Sequence, residues 1–292
     1  MSNDSQMRGY GRIPTEQASA RILSASRRTD LPGWHAAWLA QRLRGLRAPV
    51  HSVFFWTRFP EAFLRPGPLR DVLRLIENPF VHLTLTGLGG THLEPRVPPT
   101  DEVLRLLPSL IAEFRGEPER IRWRLDPLLR EYHTPDILCR LFEACSRLGL
   151  TTCIVSLPAT RSLKGDLTPQ LLRAGIIPPS PTEGCEFAAR VADIAASFGV
   201  RLMACATPAL EPLIRSGIIS RSQCIAGELA SSLHPRGLPA DLPKDPHQRK
   251  ACACVLSEDI GSYSDHRCLS GCAYCYSKAG GPGAFLPSPT DR

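Results

Sequence analysis

Three cysteines near the end of the chain have the types and spacing to do chemistry: Cys268-Leu-Ser-Gly-Cys272-Ala-Tyr-Cys275-Tyr. Thiolates separated by three and then two residues can hold three corners of a cubic [4Fe–4S] cluster, leaving one iron open for reaction. Tyr274 and Tyr276 are placed to shield such a cluster and tune it through burial. Cys252 and Cys254 lie just upstream, so five of the eleven cysteines fall within 24 residues. A zinc reading stands beside the iron–sulfur one, with Cys252, Cys254, Cys268 and either Cys272 or Cys275 closing a tetrahedral site that serves only the fold. A second set is Cys205, Cys224, Cys252 and Cys254, four thiols suited to an auxiliary cluster or a zinc staple. Against it, Cys205 and Cys224 also read as ordinary buried cysteines. Cys139, Cys145, Cys153 and Cys185 sit on helix or strand patterns and are assigned to the core.

The elements that must position these residues follow a repeating order. Short apolar, β-branched runs at 21–26, 50–57, 81–86, 121–125, 152–157 and 201–206 have the pattern of strands buried on both faces. Between them lie amphipathic stretches that predict helices at 34–43, 69–77, 101–114 (capped by Thr100), from Thr134-Pro135-Asp136 onward, and 185–198. Asp30 stands where it can cap the first of these. Repeated strand–loop–helix units predict an α/β fold with a parallel sheet, a complete or partial TIM-like (β/α) barrel over residues 21–234. No glycine-rich dinucleotide fingerprint follows the first strand, which disfavours a Rossmann fold. A proline-rich loop starts at about 235. Residues 235–278 form a cysteine-rich segment expected to cover the mouth of the barrel, and residues 1–20 and 279–292 read as tails.

In a parallel barrel, chemistry gathers at the C-terminal strand ends. Those positions hold Arg27, Arg28 and Asp30, then Trp56, Thr57 and Arg58, then Thr84, Thr86 and Glu94, and finally Arg124 and Asp126. An arginine-rich mouth with one large aromatic suits an anionic or carboxylate-bearing small molecule. Each residue also has a plainer role: Asp30 as a helix cap, Asp126 as a partner for Arg124 or Arg27, Trp56 as a core ring. His82, His92 and His133 lack metal-ligand spacing and are read as structural. No Gly-x-Ser-x-Gly elbow is present.

The cysteine spacing, with an aromatic before the last thiol, resembles the cluster motif of radical S-adenosylmethionine (SAM) enzymes. Further residues follow a different pattern: Ser24-Ala-Ser-Arg27-Arg28-Thr29-Asp30-Leu-Pro32, Phe55-Trp56-Thr57-Arg58, Leu83-Thr84-Leu85-Thr86-Gly87, Trp123-Arg124-Leu125-Asp126-Pro127 and Gln248-Arg249-Lys250 leading into the cysteines. Over about residues 21–278 the chain resembles a bacterial family catalogued as domain of unknown function 1848, described as carrying a C-terminal cysteine cluster like that of radical SAM proteins. The resemblance implies a [4Fe–4S] cluster on Cys268, Cys272 and Cys275, with Tyr274 beside it and SAM at the open iron. It further implies reductive cleavage of SAM to methionine and a 5′-deoxyadenosyl radical that abstracts hydrogen from a substrate in the mouth. An electron donor such as a flavodoxin or ferredoxin would then be a partner. Radical SAM domains place their triad after the first strand, whereas here it lies near the C-terminus. The usual Gly-Gly-Glu is absent, Gly280-Gly281 being followed by Pro282, and Ala226 stands where the family pattern has aspartate.

Composition bounds the rest. With 292 residues, 43% hydrophobic and 22% charged, the chain is long enough for one large α/β domain, and disordered or fibrous classes are excluded. No apolar run reaches the ~20 residues that span a bilayer. Residues 1–20 lack a secretory core, so a cytoplasmic protein with no membrane association is expected, in which eleven cysteines argue for metal or redox chemistry over disulfides. The net charge of +7 is carried mostly by arginine, since lysine occurs only at 164, 244, 250 and 278. That balance keeps nucleic acid open as a partner and supplies the rival reading, a zinc- or cluster-stapled barrel that binds nucleic acid. A third is a hydrolase or isomerase using Asp30, Glu94 or Asp126.

Overall fold

The computed structural model describes residues 21–162 and 165–276. The expected tails at 1–20 and 279–292, with Lys164, Lys278 and Gly280-Gly281, lie outside these residues. The strands are β1 (Ile22–Ala25), β2 (Ser52–Thr57), β3 (Pro79–Thr84), β4 (Ile121–Leu125), β5 (Thr152–Val155), β6 (Arg161–Ser162), β7 (Gly165–Asp166), β8 (Arg201–Ala204), β9 (Ser220–Arg221) and β10 (Glu258–Asp259). Apart from the antiparallel pair β6–β7, they form one parallel sheet in the order β10-β1-β2-β3-β4-β5-β8-β9. The last of the strands among the described residues, β10, therefore lies beside the first, β1. The α/β fold expected from the alternation is present. β9 and β10 are two residues long, too short to leave a pattern in the sequence.

The helices are α1 (Leu31–Trp34), α2 (Ala36–Arg44), α3 (Glu61–Leu64), α4 (Pro68–Leu75), α5 (Thr100–Glu113), α6 (Pro135–Ser146), α7 (Thr168–Arg173), α8 (Pro181–Ser197), α9 (Glu211–Arg215) and α10 (Gly227–Ser232). Three starts differ from the sequence expectation. The helix expected at 34–43 is two, because His35 leaves helical geometry between α1 and α2, where its ring bonds the Arg267 carbonyl at 2.9 Å. Thr100 is inside α5 and not its cap: the carbonyl of Pro99 accepts the first helical bonds, from Glu102 and Val103. α8 begins at Pro181, four residues earlier than expected, because Ser180 and Glu183 form a reciprocal capping box. Thr134 caps α6 as expected.

Strand alternation sorts the sheet residues between two faces. Leu23, Val53, Phe55, Val81, Leu83, Trp123, Cys153 and Leu202 pack with the helices in the larger core. Burying each large apolar side chain there contributes roughly 1.5–3 kcal/mol. Ile22, Phe54, Phe80 and Ile154 face the other way, toward Cys224, Ala230, Cys254 and Val255. Register carries the polar residues of this second face across neighbouring strands: Trp56 beside His82, His82 beside Arg122, Thr84 beside Arg124. The loop after β3 turns at Gly87, which has φ of +82°, and a Cβ there would stand 2.8 Å from Ile137. Only glycine meets both conditions without strain.

Candidate active site at the strand ends

The C-terminal ends of β1 to β4 carry two charged clusters. In the first, Asp30 ends the β1 loop and accepts hydrogen bonds from Gly33 N (2.9 Å), Thr57 Oγ1 (2.8 Å) and Arg58 N (2.8 Å). It is both the cap of α1 and a tie between the first two strand ends. Burial pushes its carboxyl up to about 6, with those three donors opposing. Arg58 reaches over to Glu94 at 2.8 Å, and Glu94, only 1% exposed, also accepts from Thr86 Oγ1 (2.7 Å) and from the Tyr274 hydroxyl. The Arg58 guanidinium lies 5.7 Å from the Tyr274 ring centre.

In the second cluster, Trp56 stacks on buried His82, with ring centres 4.0 Å apart and planes at 15°, and donates from Nε1 to Ser24 Oγ. The Arg124 and Arg27 guanidinia lie 5.1 and 6.0 Å from the Trp56 ring centre. Arg124 pairs with Asp126, which also accepts from Ser156 Oγ, and its other nitrogen contacts Cys224 Sγ at 3.2 Å. Arg27 bonds Ser257 Oγ at 3.2 Å and stands 3.7 Å from buried Asp245. His82 donates from Nε2 to the Cys224 carbonyl (2.7 Å), and burial pushes its ring well below the ordinary imidazole value. Arg28 is exposed, bonding the Gly261 carbonyl.

The C-terminal segment lies across these strand ends. Trp34 Nε1 donates to Ser270 Oγ (2.9 Å), Arg96 to the Leu269 carbonyl (3.1 Å) and Gln170 to the Ala273 carbonyl (2.7 Å), while Ala273 N donates to the Leu93 carbonyl (2.9 Å). Cys272 and Tyr274 pack in a small core with Leu88, Leu93, Val97, Leu129, Leu171 and Ile176. Burial pushes the Cys272 thiol up, Arg58 opposes this, and Cys268 and Cys275 both act on it electrostatically. Cys268 bonds Ser270 Oγ at 3.3 Å, and burial together with Asp30 raises its thiol. Tyr276 is exposed, with its hydroxyl 3.4 Å from the Arg27 carbonyl.

The other four thiols also meet. Cys205 and Cys224 are 3.4 Å apart at Sγ, and Cys254 contacts both Cys224 and Cys252. Bonds from Cys205 and Cys254, with the Arg124 charge, hold the Cys224 thiol well below its ordinary value. Cys145 and Cys153 lie in the larger core, as assigned.

Thr57 and Thr86 thus serve the Asp30 and Glu94 carboxylates, while Arg27, Trp56, Arg124 and Asp126 form one connected group. Two acids escaped the sequence reading. Asp259, at the end of β10, accepts from Ser24 Oγ (3.2 Å), Ser26 Oγ (2.6 Å), Arg27 N (2.9 Å) and Gly261 N (3.0 Å). Asp245 is the other, buried beside Arg27. The pair Glu258-Asp259 between Val255-Leu256 and Ile260 was the available signal.

Asp30 gives a pH prediction. The folded chain holds a proton between about pH 4 and 6 that the unfolded chain releases, so this contribution is full below the ordinary value of 3.8 and is lost as pH rises through about 6. About two units correspond to about 3 kcal/mol. Measured by urea unfolding, the stability of the native chain relative to Asp30→Asn is expected to fall by about 2–3 kcal/mol between pH 4 and 7. A pH-independent difference would show that Asp30 is ionised throughout.

A family profile described as domain of unknown function DUF1848 matches residues 45–277. Solved structures similar to the chain include D-hydantoinase from a Bacillus sp. AR9, at 14% identity and a TM-score of 0.35, covering 82% of this chain and 52% of that one. Another is the carboxyl transferase domain of Rhizobium etli pyruvate carboxylase, at 12% identity and a TM-score of 0.26, covering 70% and 39%. A putative fructose-1,6-biphosphate aldolase from Coccidioides immitis gives 14% identity and 0.24, covering 70% and 75%. The chain spans about half the length of the hydantoinases it matches. No curated protein matches it.

Proposed function

The chain belongs to the family described as domain of unknown function DUF1848, which covers residues 45–277, and from that premise we propose that it is a radical SAM-like iron–sulfur enzyme built on a (β/α) barrel. The observation that carries the proposal is the path of the 268–276 segment over the ends of β1 to β4, where Cys272 and Tyr274 meet Arg58 and Glu94. A pairing order that puts the last strand beside the first supports the barrel, with its seam between β9 and β10.

The chemistry of the donor set suits the cluster, three thiols spaced three and two residues apart, although among the described residues they are not gathered around a metal position. Cys268, Cys272 and Cys275 come from one loop, and Arg58 acts on Cys272 against the burial that pushes its thiol up. Those three residues would hold the [4Fe–4S] group. When bound and reduced, it would supply the electron for reductive cleavage of SAM. The chain's own residues do the rest. Tyr274 and Leu93 exclude water from one side of the loop. Arg27, against Trp56 and with its Nε buried without a hydrogen-bond partner, offers a positive charge to a carboxylate-bearing ligand. Asp30, with its carboxyl near 6, is poised to take or give a proton close to neutrality. The substrate class is a small anionic molecule, and a small redox protein is the electron donor. Eleven cysteines without a disulfide among the described residues suit a reducing, cytoplasmic setting. No helix among the described residues is long and apolar enough to cross a membrane.

Anaerobic reconstitution tests the proposal. About four irons and four sulfides per chain are expected, with a paramagnetic resonance spectrum of the reduced protein that shifts when SAM is added. Absence of acid-labile sulfide, or a spectrum indifferent to SAM, would overturn it.

A further inference from the structure

Four thiols outside the triad come from three separate places in the chain. Cys205 follows β8, Cys224 follows β9, and Cys252 and Cys254 precede β10. All four border the core on the sheet face opposite the larger helical core. They touch in sequence: Cys205 to Cys224 at 3.4 Å, Cys224 to Cys254, and Cys254 to Cys252. Cys254 Sγ also accepts from Ile225 N at 3.4 Å.

Their surroundings are positively charged. Arg124 Nη1 points at Cys224 Sγ at 3.2 Å, Arg122 acts on Cys224 and Cys254, and Arg27 acts on Cys252 and Cys254. A neutral thiol is a weak hydrogen-bond acceptor and returns little for burying a guanidinium against it. The same guanidinia stabilise thiolates, which are the form a metal takes. Among the described residues no group of three or more histidine, cysteine or acidic side chains stands in an arrangement that could hold a metal ion without rearranging. The thiols are strung as a chain, so an ion must draw its two ends inward. Those ends, Cys205 and Cys252, are the partly exposed members of the set. Sulfurs about 2.3 Å from a tetrahedral zinc stand about 3.8 Å from one another, and the Cys205–Cys224 pair, at 3.4 Å, is close to that spacing. An iron–sulfur cube would force them farther apart.

We propose that Cys205, Cys224, Cys252 and Cys254 form a closed four-thiolate site for one tetrahedral divalent ion of the zinc class. On binding, the thiol protons pass to solvent, four metal–sulfur bonds form, and Arg124 and Arg122 offset the negative charge left on the sulfurs. The ion pins the 250–255 segment to the ends of β8 and β9 and fixes Arg124 between this site and Asp126. This inference does not rest on the chemistry proposed for the triad.

The test uses the full chain carrying Cys268→Ala, Cys272→Ala and Cys275→Ala, which removes the other thiol site, purified anaerobically and loaded with zinc or cobalt. Native mass spectrometry is expected to show one zinc per chain. Cobalt is expected to give intense tetrahedral d–d bands with thiolate-to-metal charge transfer. Adding Cys252→Ser, at a partly exposed position, is expected to weaken zinc binding at least tenfold, whereas Cys139→Ser leaves it unchanged. Should the triple variant fail to fold, Cys252→Ser in the otherwise native chain is expected to lose one zinc relative to the native chain while keeping its circular dichroism spectrum. No zinc on a folded chain, a Cys205–Cys224 disulfide in the anaerobic protein, or sulfide-containing iron at these four cysteines would each overturn the proposal.

Discussion

Cys272→Ala is expected to leave a folded protein that no longer assembles its cluster. Iron should fall from about four per chain to below one, and the SAM-dependent change in the reduced spectrum should disappear with it. On the function proposed above the reason is stoichiometric: a loop that would supply three thiolates to three irons has none to spare, and the methyl group left at position 272 cannot ligate. SAM cleavage should drop at least a hundredfold. Stability should change little, by about 1 kcal/mol, because a cysteine-to-alanine change removes one buried atom from a small core. Circular dichroism and an unfolding curve separate the two effects. Retention of a SAM-responsive cluster in this variant would remove Cys272 from the ligand set.

Glu94→Ala carries the largest expected loss of stability. Its carboxylate takes bonds from Arg58, Thr86 and Tyr274 and is almost wholly buried. Removing it strands a guanidinium away from water and leaves two hydroxyls without their acceptor, a change that costs about 3–5 kcal/mol. For a chain of this size the midpoint of thermal unfolding should fall by about 10 °C. The double variant Arg58→Met with Glu94→Leu should recover much of this, since it removes the stranded charge as well. Tyr274 also loses its anchor, so iron loading should decline in both variants, more than stability alone explains. An unfolding curve for Glu94→Ala that overlays the native one would show that Arg58 finds solvent without Glu94, and that the 268–276 segment is not held there.

Much of the frame was legible in the residues. The six longer strands of the sheet and the helices between them follow from apolar runs that alternate with amphipathic stretches, because burial on both faces leaves that mark. The strand-end residues after β1 to β4 were legible for the same reason: once the strands are placed, the loop positions follow. The boundaries that moved did so for local reasons. Ser180 and Glu183 make a capping box that starts α8 early, and His35 interrupts a helix because its ring reaches Arg267.

The division between sequence and tertiary structure runs through the cysteines. Types and spacing alone single out Cys268, Cys272 and Cys275, because ligands on one short loop are neighbours in the chain and in space alike. Residues from distant segments have no such signature. That Cys205 would touch Cys224, and that Cys252 and Cys254 would complete the series, depends on β8 and β9 pairing and on the chain returning to place β10 beside β1. The same return decides that Asp259 receives the end of β1 and that Tyr274 closes on Glu94, 180 residues away in the chain. Local pattern encodes which face of an element is buried. Which distant elements meet across that face is settled only when the whole sheet assembles, since burial and charge pairing are then satisfied together.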